Sequence, residues 1–211
     1  MKLLLTSEGI RNKTIEDKFF ELVGKKPGDI TVAYIPTSVT MAPVTDKRWM
    51  INSLKKLDQL GIGQIDIVDF SAVPKENWLP RLQAADVIYV EGGHGSYLVE
   101  QAEKSGFSDE IKDLLENRVY VGCSAASMFM GEFVVGSSLE GTPPKGLGLV
   151  DFSIRPHFLR SDHPMFPEEK VQELAHELDS DFYAIDDDTA IVVVDGKVEV
   201  VSEGKWKKFE K

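Results

Sequence analysis

Val119-Tyr120-Val121-Gly122-Cys123-Ser124-Ala125-Ala126-Ser127-Met128 begins as an apolar strand, turns through Gly-x-Ser-x-Ala and continues into residues able to start a helix. That order is the setting of a nucleophile elbow, a sharp strand-to-helix turn that carries a hydroxyl at its tip. A residue at the tip sits in a strained backbone conformation, so the positions two before and two after it must be small. Gly122 and Ala126 meet that demand. The turn would hold the Ser124 hydroxyl out at the carboxyl end of the sheet, where open α/β folds place their ligands. By itself the pattern is weak, because small residues also follow buried strands for packing reasons.

Outward from this segment, short β-rich runs alternate with longer amphipathic stretches, a rhythm that predicts βαβ crossovers and a mostly parallel sheet. Leu3–Thr6, Ile30–Pro36, Ile65–Phe70, Val87–Glu91 and Val119–Cys123 are the expected strands. Thr14–Val23, Asp46–Leu60, Pro74–Ala84, Tyr97–Lys104 and Asp109–Asn117 carry apolar residues at three- and four-residue intervals, as helices lying on a sheet do. Gly24, Gly61 and Gly106 stand where left-handed helix caps are expected. The last third differs. A Pro/Gly-rich loop precedes strand-like Phe152–Arg155, Pro167–Leu178 reads as a helix, and Phe182–Ile185, Ala190–Val194, Val198–Val201 and Lys205–Phe209 read as a meander closing one side of the sheet. Asp195-Gly196 is its hairpin signal. The expected architecture is three-layer α/β/α with a C-terminal antiparallel hairpin, as one domain over residues 1–211.

Two further segments bear on chemistry. Val87–Tyr97 is an apolar strand ending in Glu91-Gly92-Gly93-His94-Gly95, whose paired glycines let the backbone approach a ligand and present N–H groups. An oxyanion site made by the Gly93 and Ala125 amides would follow. The plainer reading is a tight strand-to-helix turn; no Gly-x-x-x-x-Gly-Lys-Ser/Thr loop points to phosphate. In Arg155-Pro156-His157-Phe158, proline fixes the backbone ahead of the imidazole, which suits a general base that must keep its place. Of the other histidines, His176 reads as a solvated helix residue, and His163 lies in a loop.

Composition narrows the partners. With 24 Lys+Arg against 35 Asp+Glu the net charge is −11, which repels phosphate backbones and anionic lipid heads. Cys123 is the single cysteine, so no intramolecular disulfide forms and the chain suits a reducing compartment. The opening Met1-Lys2-Leu3-Leu4-Leu5 is too short an apolar run for a signal peptide, and no run approaches the ~18 apolar residues of a membrane span. A cytoplasmic protein without nucleic-acid or membrane partners, monomeric or homodimeric, is expected.

Together, Glu91-Gly92-Gly93, Gly122–Ala126 and Arg155–Phe158 resemble the serine peptidases that include aspartyl dipeptidase and cyanophycinase. Order and spacing match along most of the chain. The resemblance implies a fold similar to class I glutamine amidotransferases and a Ser-His-acid site with neither metal nor cofactor. In it Ser124 is the nucleophile, His157 the base, and Gly93 with Ala125 the oxyanion donors. It implies hydrolysis of small peptides or amino-acid amides, with Gly92, His94, Arg160 and Lys170 as substrate-binding candidates. His94 stands where the family often has asparagine, and Ala126 where it often has glycine. The family's acid lies some fifteen residues after the serine, where Glu140 is nearest, with Asp162 as a substitute. Lys170 is the only basic residue in the region where aspartyl dipeptidase has an arginine that reads the substrate's aspartate.

Two rivals stand beside this reading. Relatives of the fold use cysteine at the elbow, but with Cys123 as nucleophile the flanking small positions would be Val121 and Ala125, and a β-branched valine fits the crowded turn poorly. The fold also persists in binding proteins without catalysis, since function belongs to sites and not to folds.

Overall fold

Leu3, Leu4 and Leu5 are all fully buried, yet Leu3 and Leu5 face one hydrophobic cluster and Leu4 the other. Successive side chains of a strand point to opposite faces, so a strand apolar throughout must be covered on both sides. Burying each leucine contributes roughly 1.5–3 kcal/mol. The computed structural model describes residues 1–44, 46–134, 143–160 and 168–211. Five strands alternate with helices up to the elbow: β1 (Lys2–Thr6), α1 (Lys13–Val23), β2 (Thr31–Ile35), α2 (Arg48–Gln59), β3 (Gln64–Ile67), α3 (Lys75–Ala84), β4 (Val87–Val90), α4 (Gly95–Ser105), α5 (Phe107–Leu114) and β5 (Val119–Cys123). After the elbow come α6 (Ala125–Met128), β6 (Phe152–Arg155), α7 (Glu168–Glu177), β7 (Asp181–Ile185), β8 (Thr189–Val194), β9 (Lys197–Ser202) and β10 (Trp206–Phe209).

The larger sheet has seven strands in the order β3-β2-β4-β5-β1-β8-β9. Its five first strands are mutually parallel, and β8 and β9 add antiparallel beyond β1. Ile15, Phe19 and Leu22 of α1 and Leu57 of α2 cover one face. Trp78 and Leu82 of α3, Leu98 of α4 and Phe107 and Ile111 of α5 cover the other. Residue pattern and layer therefore agree in the large sheet, where helices cover both faces of the central strands. Gly24, Gly61 and Gly106 take left-handed conformations at helix ends, as their positions predict. Among the described residues no helix is long and apolar enough to cross a membrane.

The C-terminal strands depart from the expected meander. β8 and β9 do form a hairpin, with Asp195 at φ 49° and Gly196 at φ 82°, the pair of positive angles a two-residue turn requires. β7 and β10, however, leave the main sheet and join β6 in a separate three-stranded sheet ordered β10-β7-β6. Phe152, Ile154, Phe182 and Ala184 of that sheet pack into the same cluster as α3–α5. Alternation along these strands fixes which face each turns inward, and a two-residue period does not say which sheet receives it.

Candidate active site

Ser124 adopts φ 50° and ψ −112°, outside the regions that a side chain tolerates without strain. The surroundings fix it there. The Ser124 amide donates to Thr6 O at 3.0 Å, and its carbonyl accepts from Ser127 N at 2.9 Å. The Ser127 hydroxyl lies 2.7 Å from Thr6 O and 2.8 Å from Gly122 O. A Cβ at Gly122 would come within 2.9 Å of Ser127 N and 3.0 Å of the Ala126 carbonyl carbon, and Ala126 is itself fully buried. This is the crowding for which the sequence supplies small residues. The helix that follows is a single turn, Ala125–Met128.

His157 follows β6 and Pro156, and takes φ 62°. Phe158 N donates to Ile185 O at 3.0 Å, anchoring the turn to the end of β7. His157 Nε2 lies 2.9 Å from Ser124 Oγ, and Nδ1 lies 2.6 Å from Asp187 Oδ1. A carboxylate can only accept, so Nδ1 carries the proton and Nε2 presents a lone pair to the hydroxyl. Burial alone would push the Asp187 carboxyl up. Hydrogen bonds from His157 and Ser7 and the positive charges of His157 and Arg160 outweigh it, and hold the group down at about 2. Asp187 is thus an anion throughout the neutral range.

Asp187 belongs to the run Asp186-Asp187-Asp188 in the turn between β7 and β8, and each carboxylate has a separate task. Asp186 accepts from Thr189 Oγ1 and Lys205 N and caps the turn. Asp188 pairs with Arg11 at 3.1 Å. Asp187 faces the imidazole. No spacing in the sequence marks Asp187 as the acid. Glu140, the acid the resemblance suggests, and its substitute Asp162 lie outside the described residues.

The glycine turn stands beside the elbow. A Cβ on Gly92 would come within 2.9 Å of Ser124 Cβ, and one on Gly93 within 2.4 Å of Ser38 O. Gly93 has φ 146°, open to glycine alone. Ser38 Oγ sits 2.8 Å from both Glu91 O and Gly92 O, and fully buried Glu91 accepts from Gly92 N at 2.9 Å and Tyr34 Oη at 2.5 Å. Among the described residues the Gly93 and Ala125 amides make no hydrogen bond to a protein acceptor.

Other expected site residues fall in different places. His94 caps α4, its Nδ1 accepting from Tyr97 N at 3.1 Å, so the ring is engaged in the fold. Arg160 reaches the acid, 3.5 Å from Asp187 Oδ2, and lies 3.9 Å from Glu8. Lys170 is exposed on α7, as is His176. Cys123 points to the α1–α2 face of β5, opposite the α3–α5 face that Tyr120 joins, and its Sγ is 3.6 Å from Ser7 O. Burial and the nearby Glu91 push its thiol well above the ordinary value, so it stays protonated and shielded. Such a sulfur is a poor nucleophile.

The model of peptidase family S51 matches residues 3–201. An uncharacterized peptidase of Listeria monocytogenes is 26% identical over 173 residues, 77% of this chain and 82% of the relative. Two crystal structures share the fold. A candidate peptidase E from L. monocytogenes superposes with a TM-score of 0.78 at 22% identity, covering 96% of this chain and 98% of its own. A peptidase from an acI-B1 actinobacterium gives 0.76 at 19% identity, covering 99% and 93%.

Proposed function

Because the chain belongs to peptidase family S51 and is thereby a serine-type peptidase, we propose that Ser124, His157 and Asp187 together hydrolyse an amide bond in short peptides of dipeptide size. The observation that carries this reading is the chain of contacts from Ser124 Oγ through the imidazole to Asp187, at 2.9 and 2.6 Å. His157 Nε2 takes the hydroxyl proton as Ser124 Oγ bonds to the scissile carbonyl carbon. Asp187 keeps Nδ1 protonated and stabilises the imidazolium that forms. The carbonyl oxygen gains charge between the Gly93 and Ala125 amides, each such donor being worth roughly 2.7–4 kcal/mol where measured. His157 then returns its proton to the leaving nitrogen as the C–N bond breaks. Water, deprotonated by the same nitrogen, releases the acid and restores Ser124.

Peptides of this size are what the resemblance to aspartyl dipeptidase implies, and the structural relative from L. monocytogenes is described as a peptidase E. The net charge of −11 and the single reduced cysteine fit a cytoplasmic enzyme acting on small molecules without nucleic-acid or membrane partners, as a monomer or homodimer. Aspartyl dipeptides are one substrate class, with Lys170 and Arg160 as the basic residues to examine. The test is hydrolysis of a dipeptide panel by wild type and Ser124→Ala. Turnover of some members by wild type, and of none by a folded Ser124→Ala, is expected. Undiminished activity in the variant overturns the reading, and a wild type inert on every amide would point to a binding protein.

A further inference from the structure

The C-terminal end of β1 touches both halves of the site through two consecutive residues. Thr6 serves the nucleophile: its carbonyl accepts from Ser124 N at 3.0 Å, and its hydroxyl donates to Gly122 O at 2.7 Å. Ser7 serves the base. Its fully buried hydroxyl lies 2.7 Å from Asp187 Oδ1, accepts from the His157 amide at 2.9 Å and sits 3.3 Å from His157 Nδ1. Adjacent Cα atoms are about 3.8 Å apart and joined by a planar peptide. One stiff link therefore sets the distance between a serine on the large sheet and a histidine that emerges from the small one.

We propose that Ser7 is a positioning residue of the catalytic pair, its hydroxyl orienting the Asp187 carboxylate and the His157 backbone so that Nε2 faces Ser124. The proposal rests on the reading of Ser124 as nucleophile and His157 as base. Proton accounting supports it. A hydroxyl has one proton to give, and Asp187, being a carboxylate, can only receive it. The oxygen's lone pairs are then turned toward the His157 N–H. Asp187 Oδ1 accepts from both Ser7 and Nδ1, which pins the carboxylate to the imidazole edge. Ser7 is fully buried and its hydroxyl bonds to Asp187 and His157, with no hydrogen bond to Ser124 among the described residues, so it acts through the other two residues. Among the described residues, the charged groups around the pair include Arg160 against Asp187, Glu8 against Arg160, and the Arg11–Asp188 pair. All are retained in the variants below.

The experiment follows the labelling rate of Ser124 by a fluorophosphonate, which needs no knowledge of the substrate. In that step Ser124 Oγ bonds to phosphorus, fluoride leaves with the P–F electrons, and the hydroxyl proton passes to His157 Nε2. Ser7→Ala is expected to slow labelling about ten-fold or more, the scale of a lost hydrogen bond to a charged group. The acid limb of its rate–pH profile should move to higher pH, because a carboxylate with one donor fewer holds the imidazolium more tightly. Ser7→Thr keeps the hydroxyl and should label several times faster than Ser7→Val, which has the same size without it. Equal rates for threonine and valine, an unmoved acid limb, or loss of fold in Ser7→Ala while Ser124→Ala stays folded would each overturn the proposal. The last would make Ser7 a framework residue. Failure of the wild type to be labelled at Ser124 would instead count against the nucleophile itself.

Discussion

His157 Nδ1 and Asp187 Oδ1 lie 2.6 Å apart across thirty residues of sequence, one group on the turn after β6 and the other between β7 and β8. Two strands pairing in parallel, Phe152 beside Asp181 through Arg155 beside Ala184, bring those turns together. Asp187→Asn keeps the shape but replaces an acceptor with an amide that can donate to Nδ1, favouring the wrong tautomer. A drop in kcat of about 10³–10⁴ with little change in KM is expected. The steady-state kinetics of Asp187→Asn beside Glu140→Gln check the assignment, the latter keeping activity within a few-fold.

The carboxyl of Asp187 is held at about 2, below the ordinary unfolded value of about 3.9. A group depressed in the folded state contributes stability above its unfolded pKa, and that contribution is lost as pH falls through the folded value. Wild type should lose stability between pH 4 and 2, by at most about 2 kcal/mol from this group once solvent screening is allowed for. Thermal midpoints of wild type and Asp187→Asn, measured across that window, should converge as the pH drops.

Gly93→Ala places a methyl 2.4 Å from Ser38 O at φ 146°, so the turn must move. The shift takes the Gly93 amide off the developing oxyanion, and kcat should fall by about 10²-fold or more. Gly24→Ala is the control, since its φ of 70° carries a similar backbone penalty but no atom lies within 4 Å. It should cost about 1 kcal/mol in denaturant unfolding and leave kcat unchanged.

Cys123→Ala should keep activity within a few-fold, and the wild-type thiol should resist iodoacetamide until the protein unfolds. Both follow from a sulfur buried under the elbow and kept protonated. Rapid alkylation that abolishes hydrolysis in native protein would restore the cysteine reading.

The elbow was legible because its constraints are local: Gly122 and Ala126 are small for reasons three residues can state. His157 was legible through Pro156 before it. The β1, β4 and β5 strands declared themselves as unbroken apolar runs, as strands covered on both faces must. Asp187 was not, since three identical acids stand in one turn and only the pairing of β6 with β7 says which one faces the imidazole. Ser7 was hidden likewise, a polar residue just beyond a strand, with partners 150 and 180 positions away. The split of the C-terminal strands into two sheets escaped because alternation fixes a face and leaves the neighbour open.

The most direct measurement is the mass and site of fluorophosphonate modification in wild type, His157→Ala and Ser124→Ala. One adduct per chain on Ser124 in wild type, formed at least a hundred-fold more slowly in His157→Ala and missing in Ser124→Ala, is the outcome the 2.9 Å contact requires. Unmodified wild-type protein, or an adduct that persists at its full rate without His157, would contradict it.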